Sequence, residues 1–359
     1  MAISSLEFVL RRASQGLEPL SAPASVQDYW VTVAPKLESA RRSMARALLA
    51  GFWAERPAYA YVGGLQAALS RLYQAGTGLE PRSPGGSLQD AARVSIPEEL
   101  TGEGHERTSP PLMALCITEE GGGHPRAIQT ELVVCPAGGY TLSGQKKFIT
   151  VGPQAEVLLV AARAPQSGEG PHPLLRLVRI PARAVGVSVE VMPALPVLPE
   201  IEHARLKLEQ VWVAGADILP GDGYTSYIKP FRTLEDAHVS VALLGHLFRV
   251  AGEYEWPEEA LEELASVTVG LMALGDASPD LVSVHVGLAG FFRQQEQLLE
   301  RLLPCWSSVP DEIRLRWERD FQLRQFAGKV REMRTASAWK RLRGENAAAE
   351  SFSVSGSSA

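Results

Sequence analysis

The spacing of apolar residues changes twice along the chain and divides it into three regions. Val26, Trp30, Val33, Leu37, Ala40 and Met44 recur at intervals of three and four, with Arg41, Arg42 and Arg46 between them, which predicts one amphipathic helix. Tyr61, Leu65, Ala68 and Leu72 predict a second, whose aromatics belong to the core and whose Gly63-Gly64 pair invites close packing. Residues 76–110 then turn rich in Gly, Pro and Ser around a short helical pattern at 88–93. From 112 to 214 the period falls to two, most cleanly in Val185, Val187, Val189 and Val191, and again in Leu206, Leu208, Val211 and Val213 after one slip. Apolar runs at 112–117, 156–162 and 174–180 add strands, and Tyr140 to Thr150 predicts a hairpin turning at Ser143-Gly144. The expectation is a barrel-like antiparallel sheet of roughly seven strands. Beyond Tyr224 the helical period returns over 233–254, 258–274, 280–303 and 310–343, punctuated by Pro257, Pro279, Pro304 and Pro310, which predicts a four-helix bundle.

These periods imply an α+β chain with a helical domain and Gly/Pro-rich linker at 1–110, a middle β-barrel at 111–222, a helical bundle at 223–343 and a disordered polar tail at 344–359. The length of 359 residues and a 45% hydrophobic content suffice for two or three packed units. A net charge of −6 and a pI near 5.8 give no general attraction to nucleic acid or to anionic membranes. The last predicted helix concentrates basic residues, among them Arg314, Arg316, Arg319, Arg324, Arg331 and Arg334, opposite a face of Leu323, Phe326, Val330 and Met333. That run reads as a solvated or ion-paired surface, with Glu258, Glu259, Glu262 and Glu263 as expected partners. Three widely spaced cysteines, Cys116, Cys135 and Cys305, read as reduced thiols packed as small apolar residues. The first residues lack the basic start and long apolar stretch of a signal peptide, and no run is long enough to span a bilayer, so a soluble, cytoplasmic protein is expected.

Candidate chemistry concentrates in residues 112–152, LMALCITEEGGGHPRAIQTELVVCPAGGYTLSGQKKFITVG. A strand ends at Thr118, and Gly121, Gly122 and Gly123 follow; without side chains, their N–H groups are able to approach a phosphate or carbonyl oxygen, or simply to close a tight turn. Thr118-Glu119 with its Gly-rich turn, followed by Tyr140-x-Leu142-x-Gly144-x-Lys146-x-Phe148-Ile149-Thr150, resembles the acyl-CoA dehydrogenase family, whose middle domain carries T-E-P-x-x-G-S-D and then Y-x-L-N-G-x-K-x-(W/F)-I-T-N-G. The segment LKLEQVWVAGADILPG at 206–221 resembles the end of the same domain, so the likeness covers about 112–221. Glu120, His124, Pro125 and Val151 depart from the pattern.

The resemblance implies an FAD-dependent oxidoreductase acting on the CH–CH group of an acyl thioester, as in fatty acid metabolism, and a homodimer. Carried over position by position, Thr118 and Thr150 would hydrogen-bond the flavin ring, Phe148 would pack on its face, and Gly123 would lie near the pyrophosphate, with His124 offering one hydrogen bond to an oxygen. Pro125 has no N–H to give. The family's late Y-E-G-T base is absent, as are its R-x-x-F-G and Q-x-x-G-G patterns. Some members carry the base in an L-x-x-E-R stretch of the first C-terminal helix, and Thr233-Leu234-Glu235-Asp236 occupies that region. Glu235 is thus the candidate base and His238 the second; the alternative for Glu235 and Asp236 is an ordinary pair of first-turn acids. A non-catalytic binding or assembly protein that has lost flavin is the competing expectation. No G-x-G-x-x-G, Walker loop, H-E-x-x-H or G-x-S-x-G is present, and the seven histidines lack ligand spacing, so no metal is expected.

Overall fold

The computed structural model describes residues 2–77, 110–165, 174–323 and 328–345; the short helix expected at 88–93, the side chains of Arg324 and Phe326, and nearly all of the polar tail lie outside the described residues. Four helices open the chain: α1 (Ala2–Ser14), α2 (Val26–Val33), α3 (Ser43–Phe52) and α4 (Pro57–Thr77). The helix expected from Val26 through Met44 is divided. Ser25 caps α2 by accepting from the Asp28 N–H, and Pro35, which has no N–H and cannot extend an α-helix, starts a 3₁₀ turn over Ala34–Leu37 before α3 begins.

The sheet holds seven strands: β1 (Met113–Cys116), β2 (Glu131–Val134), β3 (Tyr140–Thr150), β4 (Val157–Arg163), β5 (Leu175–Pro181), β6 (Val187–Val191) and β7 (His203–Val213). Two expectations are corrected. First, 140–150 is one strand and not a hairpin: at Gly144 the register against β7 shifts, and a Cβ there would stand 2.4 Å from Thr130 Oγ1, so the glycine serves a bulge against a neighbour. The turn lies earlier, at Gly138 and Gly139, both with positive φ, and joins β3 to β2, a strand the periodicity did not reveal. Second, the sheet is mixed. β5 covers one edge of β4 for its whole length, and on the other edge β1 and then β2 pair with β4 in parallel. β1 and β2 therefore share one lane, and residues 117–130 leave the sheet between them and return. The remaining pairs, β2–β3, β3–β7 and β7–β6, are antiparallel, and the sheet curls.

A buried carboxylate anchors that excursion. Glu119, 6% exposed, accepts from Lys146 Nζ at 2.6 Å, Thr130 Oγ1 at 2.7 Å, Thr130 N at 3.0 Å and Gln129 N at 2.6 Å. Burial alone would raise the Glu119 carboxyl, but the Lys146 charge and these hydrogen bonds outweigh it and hold it below its ordinary range. The Lys146 ammonium is pushed down by burial and pulled partly back by Glu119.

After a π-helical turn at Tyr224–Ile228 come α5 (Lys229–Glu253), α6 (Glu258–Asp276), α7 (Val282–Arg301), α8 (Asp311–Phe321) and α9 (Gly328–Leu342). The fourth expected helix is thus two, with α9 packed on α7 and α8 turned toward α4. α3 and α4 lie so close to α5 that a Cβ at Gly51 would stand 1.7 Å from Ala242 O and one at Gly64 2.7 Å from Val239 Cα. Buried residues from the opening helices and from α5 to α8 belong to one core. The basic run is ion-paired, but mainly to acids other than those expected. Arg316 pairs with Glu55 and Glu312, Arg319 with Glu200 and Asp320, and Arg331 and Arg334 with Asp236; of the four α6 glutamates, Glu263 alone pairs among the described residues, with Arg301 on α7.

Candidate active site

The Glu119 anchor sets Thr118 beside β3, where Lys147 N donates to Thr118 O at 2.8 Å. At that point β3 loses register with β7 between Lys146 and Ile149, and Phe148 takes φ +56°, a left-handed backbone that is costly for a bulky side chain. The bulge turns the Phe148 ring outward, 47% exposed. Pairing resumes at Ile149, and Thr150 lies opposite His203 with its hydroxyl 3.3 Å from His203 Nε2. The turn closes over the same place: a Cβ on Gly123 would stand 3.4 Å from Thr118 Oγ1 and 3.5 Å from Arg232 Nη2. Thr118, Gly123, Phe148 and Thr150 are thereby gathered at one end of the sheet.

Glu235 reaches that end through a tyrosine. Tyr61 on α4 donates to Glu235 Oε1 at 3.2 Å and also hydrogen-bonds Thr150. His203 closes the row. Its Nδ1 faces Ile201 O at 3.1 Å, so the neutral ring places its hydrogen there and leaves Nε2 to accept from Thr150. Burial lowers the His203 imidazole and keeps it neutral, and only the bond to Ile201 opposes this. Burial raises the Glu235 carboxyl above its ordinary value and the adjacent Asp236 charge adds to this; Arg232, the Tyr61 hydrogen bond and Arg331 oppose it. Tyr61 is pushed far up by burial and then by Glu235, so it stays protonated.

Glu235 lines a cavity of about 240 Å³ among α4, α5, α7, α8 and α9. Tyr61 and Arg232 stand in its wall with Glu235; Val239, Leu243 and Phe321 are among its apolar lining. Asp236, one residue on, is held by Arg331 Nε at 3.0 Å, Arg331 Nη2 at 2.7 Å and Arg334. Neither acid is a free first-turn residue, because α5 begins at Lys229 and both face the cavity.

The second candidate base is placed elsewhere. His238 is buried with Nδ1 2.7 Å from Leu234 O and Nε2 2.9 Å from Ser43 Oγ, and burial drives its imidazole down to about 3. It is a packing residue of α5. His124 is exposed and starts a 3₁₀ turn, its Nδ1 accepting from Arg126 N at 3.3 Å, while Pro125 is buried. Tyr61, His203 and Arg232 were not singled out in the sequence: Tyr61 sits in a run of core positions, and the other two have no local signature. Among the described residues, no group of three His, Cys, Asp or Glu is arranged to hold a metal ion. Cys116 is buried and Cys135 and Cys305 are partly so, all as free thiols.

Residues 114–211 match the family model of the acyl-CoA dehydrogenase middle domain. No curated protein matches the sequence. Among solved structures, the chain is similar to the prolyl acyl carrier protein oxidase AnaB, with a TM-score of 0.64, 15% identity, and coverage of 94% of this chain and 98% of that one. PigA with FAD and proline gives 0.61 at 14% identity, covering 94% and 96%, and butyryl-CoA dehydrogenase from Megasphaera elsdenii gives 0.59 at 14%, covering 93% and 98%. The fold is that of the acyl-CoA dehydrogenases, with helical regions on both sides of a central curled sheet. The chain thus has the fold of the acyl-CoA dehydrogenases, with the family's middle domain matched at residues 114–211.

Proposed function

We propose that the chain is an FAD-dependent oxidoreductase that removes a Cα proton and a Cβ hydride from an acyl thioester, with Glu235 as the base. The observation that carries this reading is the hydrogen-bonded row Glu235–Tyr61–Thr150, which joins a carboxylate in a cavity to the end of the sheet where Thr118 and Phe148 gather. The donor set there suits a flat, polar ring: two hydroxyls, an exposed aromatic face, and the Arg232 guanidinium beside Gly123. Thr118 and Thr150 would hold the flavin ring, Phe148 would cover it, and Gly123 would leave room for the pyrophosphate, with His124 at its edge. FAD, when bound, supplies the hydride acceptor.

The residues of the chain do the remaining work. Tyr61 holds Glu235 Oε1 and leaves Oε2 for the substrate Cα–H; the raised carboxyl makes Glu235 a stronger base than a solvated glutamate. AnaB is described as an acyl carrier protein oxidase and the Megasphaera enzyme as a butyryl-CoA dehydrogenase, and either thioester carrier fits this reading. We take the protein to be cytoplasmic and homodimeric; no described helix is long and apolar enough to cross a membrane. Light scattering that finds a monomer at micromolar concentration refutes the dimer.

One observation favours the competing reading, a binding or assembly protein without flavin: His124 is turned onto its own backbone and Pro125 is buried, so the phosphate end has fewer donors than the ring end. Purified protein should be yellow or should bind FAD in titration. Absence of both refutes the enzyme and supports the competing reading.

A further inference from the structure

α8 is held in place by charge more than by apolar burial. Of its eleven residues only Trp317 and Asp320 are buried, yet it supplies Asp320 and Phe321 to the wall of the Glu235 cavity. Its ties to the rest of the molecule run through charges of alternating sign, Arg316, Glu55, Arg56, Glu200, Arg319 and Asp320. Arg316 donates to Glu55 Oε1 at 2.8 Å, Arg56 also donates to Glu55 and stands 3.6 Å from Glu200 Oε1, and Arg319 donates to Glu200 Oε2 at 2.9 Å and to Asp320 Oδ1 at 2.6 Å. The last of these acids also holds a strained backbone. Asp320 Oδ1 accepts from Leu198 N at 2.8 Å, and Leu198, buried in the loop before β7, has φ +51°, a left-handed conformation that is costly for a leucine. Asp320 is therefore shared by α8, the cavity wall and the strained loop.

We propose that α8 is a movable wall of the Glu235 cavity, latched shut by the Glu200–Arg319–Asp320 ion pairs, and that release of the latch swings α8 outward and opens the cavity to solvent. Three features favour a wall with two positions over a fixed one. The latch is within reach of solvent ions, with the Arg319 side chain 33% exposed, so its hold weakens as salt rises. Leu198 is relieved of its left-handed backbone when Asp320 withdraws, which offsets part of the cost of opening. Trp317 rests by its flat face on Trp306, at 5.9 Å between ring centres, and a stacked pair slides with little loss of contact, so the helix has a pivot. The inference needs neither flavin nor thioester and is independent of the proposed reaction.

The test times the reaction of two thiols in the full chain with a maleimide, each followed by peptide mass spectrometry. Ser240 lines the cavity and is 7% exposed, so Ser240→Cys places a thiol behind the wall with little change of volume. The native Cys116, fully buried in β1, reacts only when the sheet itself opens and serves as the internal reference. The introduced thiol should react at least about tenfold faster than Cys116. Raising sodium chloride to about 0.5 M should speed it by about fivefold and leave Cys116 unchanged, and adding Glu200→Gln, which keeps the side chain's shape and removes its charge, should do the same at low salt. An introduced thiol that reacts no faster than Cys116, or whose rate salt or Glu200→Gln leaves unchanged, overturns the inference. Equal acceleration of both thiols reports a loss of overall stability and overturns it as well. The salt series needs no change at Glu200, so it decides the matter if that variant does not fold.

Discussion

The two halves of the candidate site are built on opposite plans. At the sheet end, Thr118, Phe148 and Thr150 are fixed by a bulged strand and by a loop tied down at Glu119, all within one stretch of sequence. At the helical end, Tyr61, Glu235, Gln295 and Arg334 come from four helices, and Tyr61 meets Glu235 across 174 residues of chain. A ring-shaped cofactor needs a rigid frame with few groups, whereas a substrate pocket is set by whichever side chains the helices bring together. The first plan leaves a motif in the sequence and the second does not.

Breaking the frame should have the largest effect on stability. Lys146→Met strands Glu119 as a buried, unpaired charge and should cost about 3–5 kcal/mol in chemical denaturation, with Lys146→Met/Glu119→Leu recovering part of it. The pH dependence has a definite sign. Glu119 is depressed in the folded state, so its contribution is present above the ordinary carboxylate pKa and is lost as pH falls through the folded value. Thermal melts should therefore lose stability in acid, and Glu119→Gln should lose less than wild type over the same window.

An intermediate effect belongs to the link between the halves. Tyr61→Phe removes the donor that favours ionised Glu235, so the acid limb of the rate profile for substrate oxidation should move up by about one pH unit. An unmoved limb would mean that Tyr61 only packs. The smallest effect is expected from Thr150→Ala, a neutral hydrogen bond of about 0.5–1.5 kcal/mol, which should weaken FAD in titration by up to about tenfold without lowering the melting temperature. Thr118→Ala should behave alike.

Much of the frame was legible because alternation shows where strands run, and 156–162, 174–180 and 206–213 lie within a residue or so of β4, β5 and the far end of β7. Periodicity misread Ser143-Gly144 as a turn because a glycine in a bulge and a glycine in a hairpin look alike locally; only Thr130, packed against Gly144, distinguishes them. Pairing direction was equally hidden, since β1 and β2 become parallel neighbours of β4 only through the loop between them. Of the helical half, Glu235 alone was named in advance, by its place early in α5. Tyr61 carried an apolar residue's spacing, His203 sat at a strand start, and Arg331 and Arg334 belonged to a run whose ion pairs are set by tertiary contact.

The central claim is that Glu235 takes the substrate Cα proton while a flavin held at the sheet end would take the Cβ hydride, and single-turnover bleaching of bound FAD by an acyl thioester tests it most directly. Glu235→Gln keeps the shape of the side chain and removes an ionised carboxylate whose raised pKa costs stability as pH rises toward its folded value, so the variant should fold and bind FAD at least as well as wild type. Wild type should bleach, and Glu235→Gln should bleach about two to four orders of magnitude more slowly. Equal bleaching rates in the two proteins, with FAD bound to both, would contradict the account.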